Sequence, residues 1–377
     1  MNRTAPLLDR LLDAQALSLL VGRPVAVGSV RAKPGTLLVL GLVDPAARRP
    51  VGWARVLWPS ARDKAEKTTL RAQRRGLRLV ERGLADGLLL QAGRIDTDPG
   101  LANAVRRARP RRLRDLVLDA GTVLRHNPLR RVLVRDGEAV VRIAAAHDPL
   151  ARPLLLRLAA LGLPVPAVLD DGDQPLVSSR RFFGDGDLLG TPSAEGVRWA
   201  GETLARVHAA TDAVLADGRV AGWLRPRRPG CVPEDTLGSL DPALGAWFDV
   251  LADRLLGRPA LPGPDVVLHG DASADQVLVD TARGARQLND FDRAALGPAA
   301  LDLGSWLAVD RLAGVGLGEE FLAGYARGGG VVPDAAALTT ALAHGLLSRV
   351  TAPVREGNPD WRVGVAARLD DLAEVLA

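Results

Sequence analysis

The stretch Leu268-His269-Gly270-Asp271-Ala272-Ser273-Ala274-Asp275-Gln276-Val277-Leu278-Val279, followed by Leu288-Asn289-Asp290-Phe291-Asp292, decides how this chain reads. The apolar run Val266-Val267-Leu268 predicts a strand, so the Asp271 carboxylate emerges at a strand end from a glycine turn. Gln276 opens a second strand and Asp290 ends a third, the last two joined by the turn Thr281-Ala282-Arg283-Gly284. The three oxygen-bearing side chains are expected at one edge of a small hairpin sheet. His-Gly-Asp by itself is ordinary turn chemistry. The ordered set of strand, acid, amide, hairpin and acid is far more specific. It suits phosphoryl transfer from a nucleotide held by magnesium. That chemistry needs a carboxylate to orient or deprotonate the attacking hydroxyl and oxygen ligands to hold the metal on the phosphates. Magnesium takes a few protein oxygens and completes its octahedron with water and phosphate.

Outward from this stretch, three blocks emerge. The first, to about residue 110, opens with a helical leucine pattern (Leu7, Leu8, Leu11, Leu12), continues in strands over 35–43 and 51–57, and ends in a charged helix from Ser60 to Arg82. The second, residues 111–190, holds a short strand at Thr122–Arg125 stopped by His126-Asn127-Pro128. A hairpin follows, Arg131–Arg135 and Glu138–Ile143 around Asp136-Gly137, a strong turn signal. A helix over Pro149–Leu161 and strands near Val165–Leu169 and Leu176–Ser179 complete it. Both blocks run strand pair, arginine, helix, which raises an internal duplication beside chance resemblance of two αβ units. The third block, 191–377, is mostly helical. It begins at Thr191-Pro192, a hydroxyl cap before proline, with further helical patterns over 241–256, 299–312, 334–349 and 361–376.

Composition excludes several classes. No apolar stretch reaches the ~18 residues of a membrane span, and Asp9, Arg10 and Asp13 interrupt any signal-peptide core, so a cytoplasmic protein without a membrane partner is expected. Cys231 is the only cysteine, which rules out an internal disulfide and a cysteine metal cage. The net charge of +5 comes from arginine interleaved with Asp and Glu, which argues against a nucleic-acid partner. The exception is the dense run Arg106 to Arg114, read as a solvated hinge. No Gly-Lys-Ser/Thr phosphate loop exists.

At the quoted stretch the chain resembles the aminoglycoside phosphotransferase and choline kinase family, over roughly residues 115–350. The motif residues are His269, Gly270, Asp271 and Gln276, then Asp290, Phe291, Gly297, Asp302 and Leu303, with the helix Gly201–His208 as a further match. The resemblance implies an α+β, protein-kinase-like two-lobe fold: a small antiparallel-sheet N-lobe at 111–190, a helical C-lobe at 191–377, and an extra N-terminal αβ domain at 1–110. It implies a small-molecule kinase using ATP or GTP and Mg2+, with the nucleotide and a hydroxyl acceptor as partners. Asp271 would be the base, Asp290 and Gln276 the metal ligands that also contact the nucleotide, and His269 and Asp302 the braces of the catalytic loop. Two positions depart from the family. Arg142 stands where its phosphate-binding lysine ends a strand, and Arg differs from Lys in reach and geometry. The helix after it carries no Glu; Asp148, at the helix start, is the only nearby acid. The alternative is therefore a pseudokinase that binds nucleotide or serves as a scaffold. The acids between Glu319 and Glu374 would suit a cationic aminoglycoside or amino alcohol, but they read equally well as solvated helix faces, and a sugar fits too. Neither the acceptor nor the oligomeric state follows from the sequence.

Overall fold

The computed structural model describes residues 4–33, 35–108, 122–169, 174–227 and 236–377. Two leucine-faced helices open it, α1 (Thr4–Leu12) and α2 (Ala14–Val21). Strands β1 (Ala26–Lys33), β2 (Leu37–Val43) and β3 (Pro50–Leu57), helix α3 (Asp63–Gln73), and strands β4 (Val80–Gly83) and β5 (Leu89–Gly93) follow. They form an antiparallel sheet of order β1-β2-β3-β5-β4. The charged helix expected over Ser60–Arg82 thus stops at Gln73. Gly76 adopts a left-handed φ of 66° that breaks it, and the chain returns as β4.

After α4 (Ala102–Ala108) the pattern repeats. Strands β6 (Val123–Asn127), β7 (Arg131–Asp136) and β8 (Ala139–Ala144) precede α5 (Ala151–Ala160), β9 (Val168–Leu169) and β10 (Val177–Arg181). This second antiparallel sheet has the order β6-β7-β8-β10-β9, the same as the first. The registers agree as well: Arg55 of β3 faces Gln91 of β5, and Arg142 of β8 faces Ser178 of β10. His126 and Asn127, expected to stop a strand, lie inside β6 because they pair with Val132 and Arg131. The arginine run from 109 to 114, and Cys231, lie outside the described residues.

The helical part comprises α6 (Ala194–Ala209), α7 (Thr211–Leu215), α8 (Gly218–Ala221), α9 (Thr236–Leu240), α10 (Pro242–Leu256), α11 (Ala300–Ala313), α12 (Gly318–Arg327), α13 (Ala335–Leu347), α14 (Ala352–Arg355) and α15 (Trp361–Leu376). Helix α6 starts later than Thr191-Pro192: the Ser193 hydroxyl accepts from the Gly196 N–H at 3.1 Å and caps it. Short strands thread these helices. β11 (Gly186–Asp187), β13 (Val277–Asp280) and β14 (Ala285–Leu288) form one sheet, while β12 (Asp265–Leu268) pairs with β15 (Ala295–Pro298) in another. The catalytic stretch therefore spans two small sheets rather than one. No described helix is long and apolar enough to cross a membrane.

The principal core joins the two ends of the chain. Leu8, Leu11, Leu38, Leu40 and Val56 pack in one cluster with Leu251, Leu346, Trp361, Val365 and Leu369. A second core fills the helical part around Leu204, Val267, Phe291 and Trp306. Burial on this scale, at roughly 25 cal/mol per Å² of apolar surface, holds the sheets against the helices.

Candidate active site

The loop from His269 is built around one buried carboxylate. Asp302, in the first turn of α11, accepts hydrogen bonds from the His269 N–H at 2.6 Å and the Gly270 N–H at 2.9 Å. His208 Nε2 lies 3.2 Å away, and His208 Nδ1 is 2.8 Å from the Tyr325 hydroxyl. Both contacts are satisfied when Tyr325 donates to Nδ1 and Nε2–H donates to Asp302. Burial raises the Asp302 carboxyl, but the His208 hydrogen bond and the charges of His208, His269 and Arg227 overcome it and hold it below its usual value. Burial, followed by the Asp302 charge, pushes the Tyr325 hydroxyl up to about 12, so it stays a donor. Gly270 adopts φ +82°, and a Cβ there would strike the Arg293 carbonyl. Only glycine makes that turn without strain.

His269 is fully buried and fastens two loops. Its Nε2 lies 2.7 Å from the Asn289 carbonyl, and its Nδ1 accepts from the Asp271 N–H at 3.3 Å. Across the hairpin the Asn289 N–H donates to the Gln276 carbonyl at 2.8 Å. The backbones carrying Asp271, Gln276 and Asp290 are thus tied together through one imidazole and one amide. No metal ligand role for His269 is needed.

Asp271 is half-buried, with Arg349 Nη2 at 3.2 Å from one carboxylate oxygen and Arg293 Nη1 at 3.3 Å from the other. Arg349 is itself anchored by Ser305 Oγ at 2.9 Å and the Gly345 carbonyl at 3.1 Å. The Gln276 amide donates to Asp275 at 2.7 Å, and Asp275 accepts from Ser273 at 2.6 Å. With its NH2 so engaged, the Gln276 side chain offers its oxygen as the remaining ligand atom. Asp290 sits in left-handed backbone, φ 60° and ψ 60°, a strained conformation that recurs at functional sites. Among the described residues no three His, Cys, Asp or Glu side chains form a metal-holding group. An amide oxygen and one carboxylate still suit magnesium, which draws its other ligands from phosphate and water.

Arg142 points into the same region. Its Nη1 lies 3.0 Å from Asp292 and 3.4 Å from Asp148, while its Nε is buried without a hydrogen-bond partner. Asp148 thus reaches Arg142 from just before the helix start. Arg131, at the start of β7, also pairs with Asp292. Four of these residues carried no assigned role in the sequence: Asp292, Arg131, Arg293 and Arg349. Asp292 stands two positions after Asp290 and could have been found there; Arg349 lies far along the chain and left no local signal.

Asp271, Gln276, Asp290 and Asp292 line one cleft of about 1020 Å³, whose far wall is the β1 edge at Gly28–Ala32. The first sheet also grips the turn between β6 and β7. Asp98, completely buried, lies 2.9 Å from His126 Nε2 and accepts from the Leu129 N–H at 2.9 Å. His126 Nδ1 lies 3.3 Å from the Gly52 carbonyl.

Residues 117–339 match the model described as "Phosphotransferase enzyme family". Among solved structures, a choline/ethanolamine kinase family protein from Mesorhizobium loti is 18% identical over 72% of this chain and 94% of its own, with a TM-score of 0.47. A macrolide 2'-phosphotransferase from Brachybacterium faecium is 23% identical over 72% of this chain and 98% of its own, with a TM-score of 0.44. No curated protein matches the chain.

Proposed function

The chain belongs to the phosphotransferase enzyme family, and from that premise we propose that it moves the γ-phosphate of ATP or GTP onto a hydroxyl of a small molecule. One observation carries the reading: Asp271, Gln276 and Asp290 line a single cleft on backbones tied together by His269. Asp271 orients the acceptor hydroxyl, held in place by Arg349 and Arg293. As the new oxygen–phosphorus bond forms, the bond to the bridging oxygen breaks, the nucleoside diphosphate leaves, and the hydroxyl proton passes to Asp271. Gln276 and Asp290 would hold magnesium, which neutralises developing charge on the phosphates. Arg131 and Arg142 stand on the sheet side as the phosphate-facing cations, positioned by Asp292 and Asp148.

The second reading, a pseudokinase, is favoured by one feature: both acids near Arg142 engage it, which competes with a phosphate. Steady-state turnover against a broad acceptor panel separates the two. Asp271→Asn is expected to lower kcat by about 10²–10⁴-fold with nucleotide affinity retained. A wild-type chain that binds nucleotide yet transfers no more than Asp271→Asn would leave the pseudokinase standing.

A further inference from the structure

The charge of the cleft bears on what it accepts. Arginines outnumber carboxylates on its lining nine to five. Of the five carboxylates, Asp271, Asp275, Asp290 and Asp292 belong to the catalytic loop and the metal segment, so Glu356 is the one acid left on the helical side. Facing it are Arg293, Arg349, Arg355 and Arg368. Arg355 lies near enough to Arg293 for the like charges to repel. These cations sit on the segment after Asp290, the end of α13, α14 and α15, whereas Arg131 and Arg142 serve the sheet side where phosphates are expected. Four of the C-terminal acids that would have recruited a cationic acceptor are used elsewhere. Glu320 pairs with Arg198, Asp371 and Glu374 pair with Arg311, and Asp334 caps α13.

We infer that the acceptor is an anion, a hydroxylated small molecule whose carboxylate or phosphate is held by Arg355 and Arg293 while its hydroxyl meets Asp271. The inference rests on the phosphotransferase reading above. Guanidinium forks match both oxyanions in bidentate geometry. A polycationic acceptor would meet a net excess of like charge on the same wall, where Asp271 and Glu356 offset only part of the four arginines.

The test incubates the full-length chain with magnesium, γ-labelled ATP and a small-molecule extract of its source cells. The extract is first split into anion-exchange-retained, cation-exchange-retained and unretained fractions. Labelled product is expected from the anion-retained fraction; its loss after phosphatase pretreatment identifies a phosphate ester, its survival a carboxylate. Arg355→Ala should raise the acceptor KM at least tenfold with a smaller change in kcat, and Arg355→Lys should recover part of the loss. Product chiefly from either other fraction overturns the anionic acceptor and leaves the phosphotransferase proposal standing. An unchanged acceptor KM in an Arg355→Ala chain of wild-type melting temperature overturns it equally. Absence of product from all three fractions overturns the phosphotransferase proposal, and this inference with it.

Discussion

Asp302 illustrates how much one buried side chain can organise. Its two oxygens satisfy two backbone N–H groups of the catalytic loop and a histidine. Replacing it with Ala strands those donors in an apolar interior, at about 1–3 kcal/mol for each unsatisfied group. Asp302→Ala is therefore expected to lower the melting temperature and to lose activity together, which calorimetry beside turnover would check. Arg142 invites the opposite experiment. Arg142→Met removes the partner of Asp292 and Asp148, and is expected to raise the nucleotide KM more than the acceptor KM. An unchanged nucleotide KM would remove Arg142 from the phosphate contacts. At this scale the sequence was most legible where motif residues are neighbours: His269, Asp271, Gln276 and Asp290 all line or brace one cleft. It was least legible for Arg349 and Arg293, because nothing local marks an arginine that meets a carboxylate only after folding.

Elements explain how one turn of the second sheet is held. The β6–β7 turn, at Asn127–Arg130, is docked on the first sheet through Asp98, His126 and Gly52. Leu129 there has a positive φ of 64°, stabilised by the Asp98 bond to its N–H. Asp98→Ala removes the acceptor of the Leu129 N–H and the partner of His126 inside a fully buried polar cluster, at about 1–3 kcal/mol for each unsatisfied group. The expected outcome is a lower melting temperature and a nucleotide KM that rises more than the acceptor KM. Equal shifts in both would mean general loosening rather than a positioned turn. The shared order of the two sheets, and the matched places of Arg55 and Arg142, are what an internal duplication would leave behind. In the first sheet Arg55 has become structural, bonded to Gln91 and Thr68. Strand pairs flanking Asp136-Gly137 were readable from turn chemistry. β4, β15 and the pairing of β12 with β15 were not, because short strands gain their hydrogen bonds from partners distant in sequence.

For the whole molecule, the first sheet and the last helices share one core. Trp361 Nε1 donates to Asp9 at 3.0 Å, and Arg362 bridges Asp9 and Asp241. A chain lacking residues 1–100 would expose Trp361, Val365 and Leu369. It is expected to be poorly soluble or to bind hydrophobic dyes, and a soluble, well-ordered truncation with full near-UV dichroism would contradict the shared core. Acid stability follows from His344. Burial, then the Arg227 charge, lowers its imidazole to about 4 from the ordinary 6.5. Between those values the unfolded chain binds a proton that the folded chain does not, so folding weakens as pH falls through this window. Denaturant titrations of wild type and His344→Gln should converge in stability as pH falls from about 6.5 to 4, and parallel curves would refute the contribution. The sequence by itself determined the phosphotransferase motif, the hairpin that carries it and the helical character of the C-terminal half, because these depend on residue types and spacings within short windows. Only the tertiary structure decided that the first sheet walls the cleft, that Asp148 and Asp292 partner Arg142, and that arginines outnumber acids on the cleft lining. Those facts depend on which distant surfaces bury against one another, and burial is a property of the folded whole.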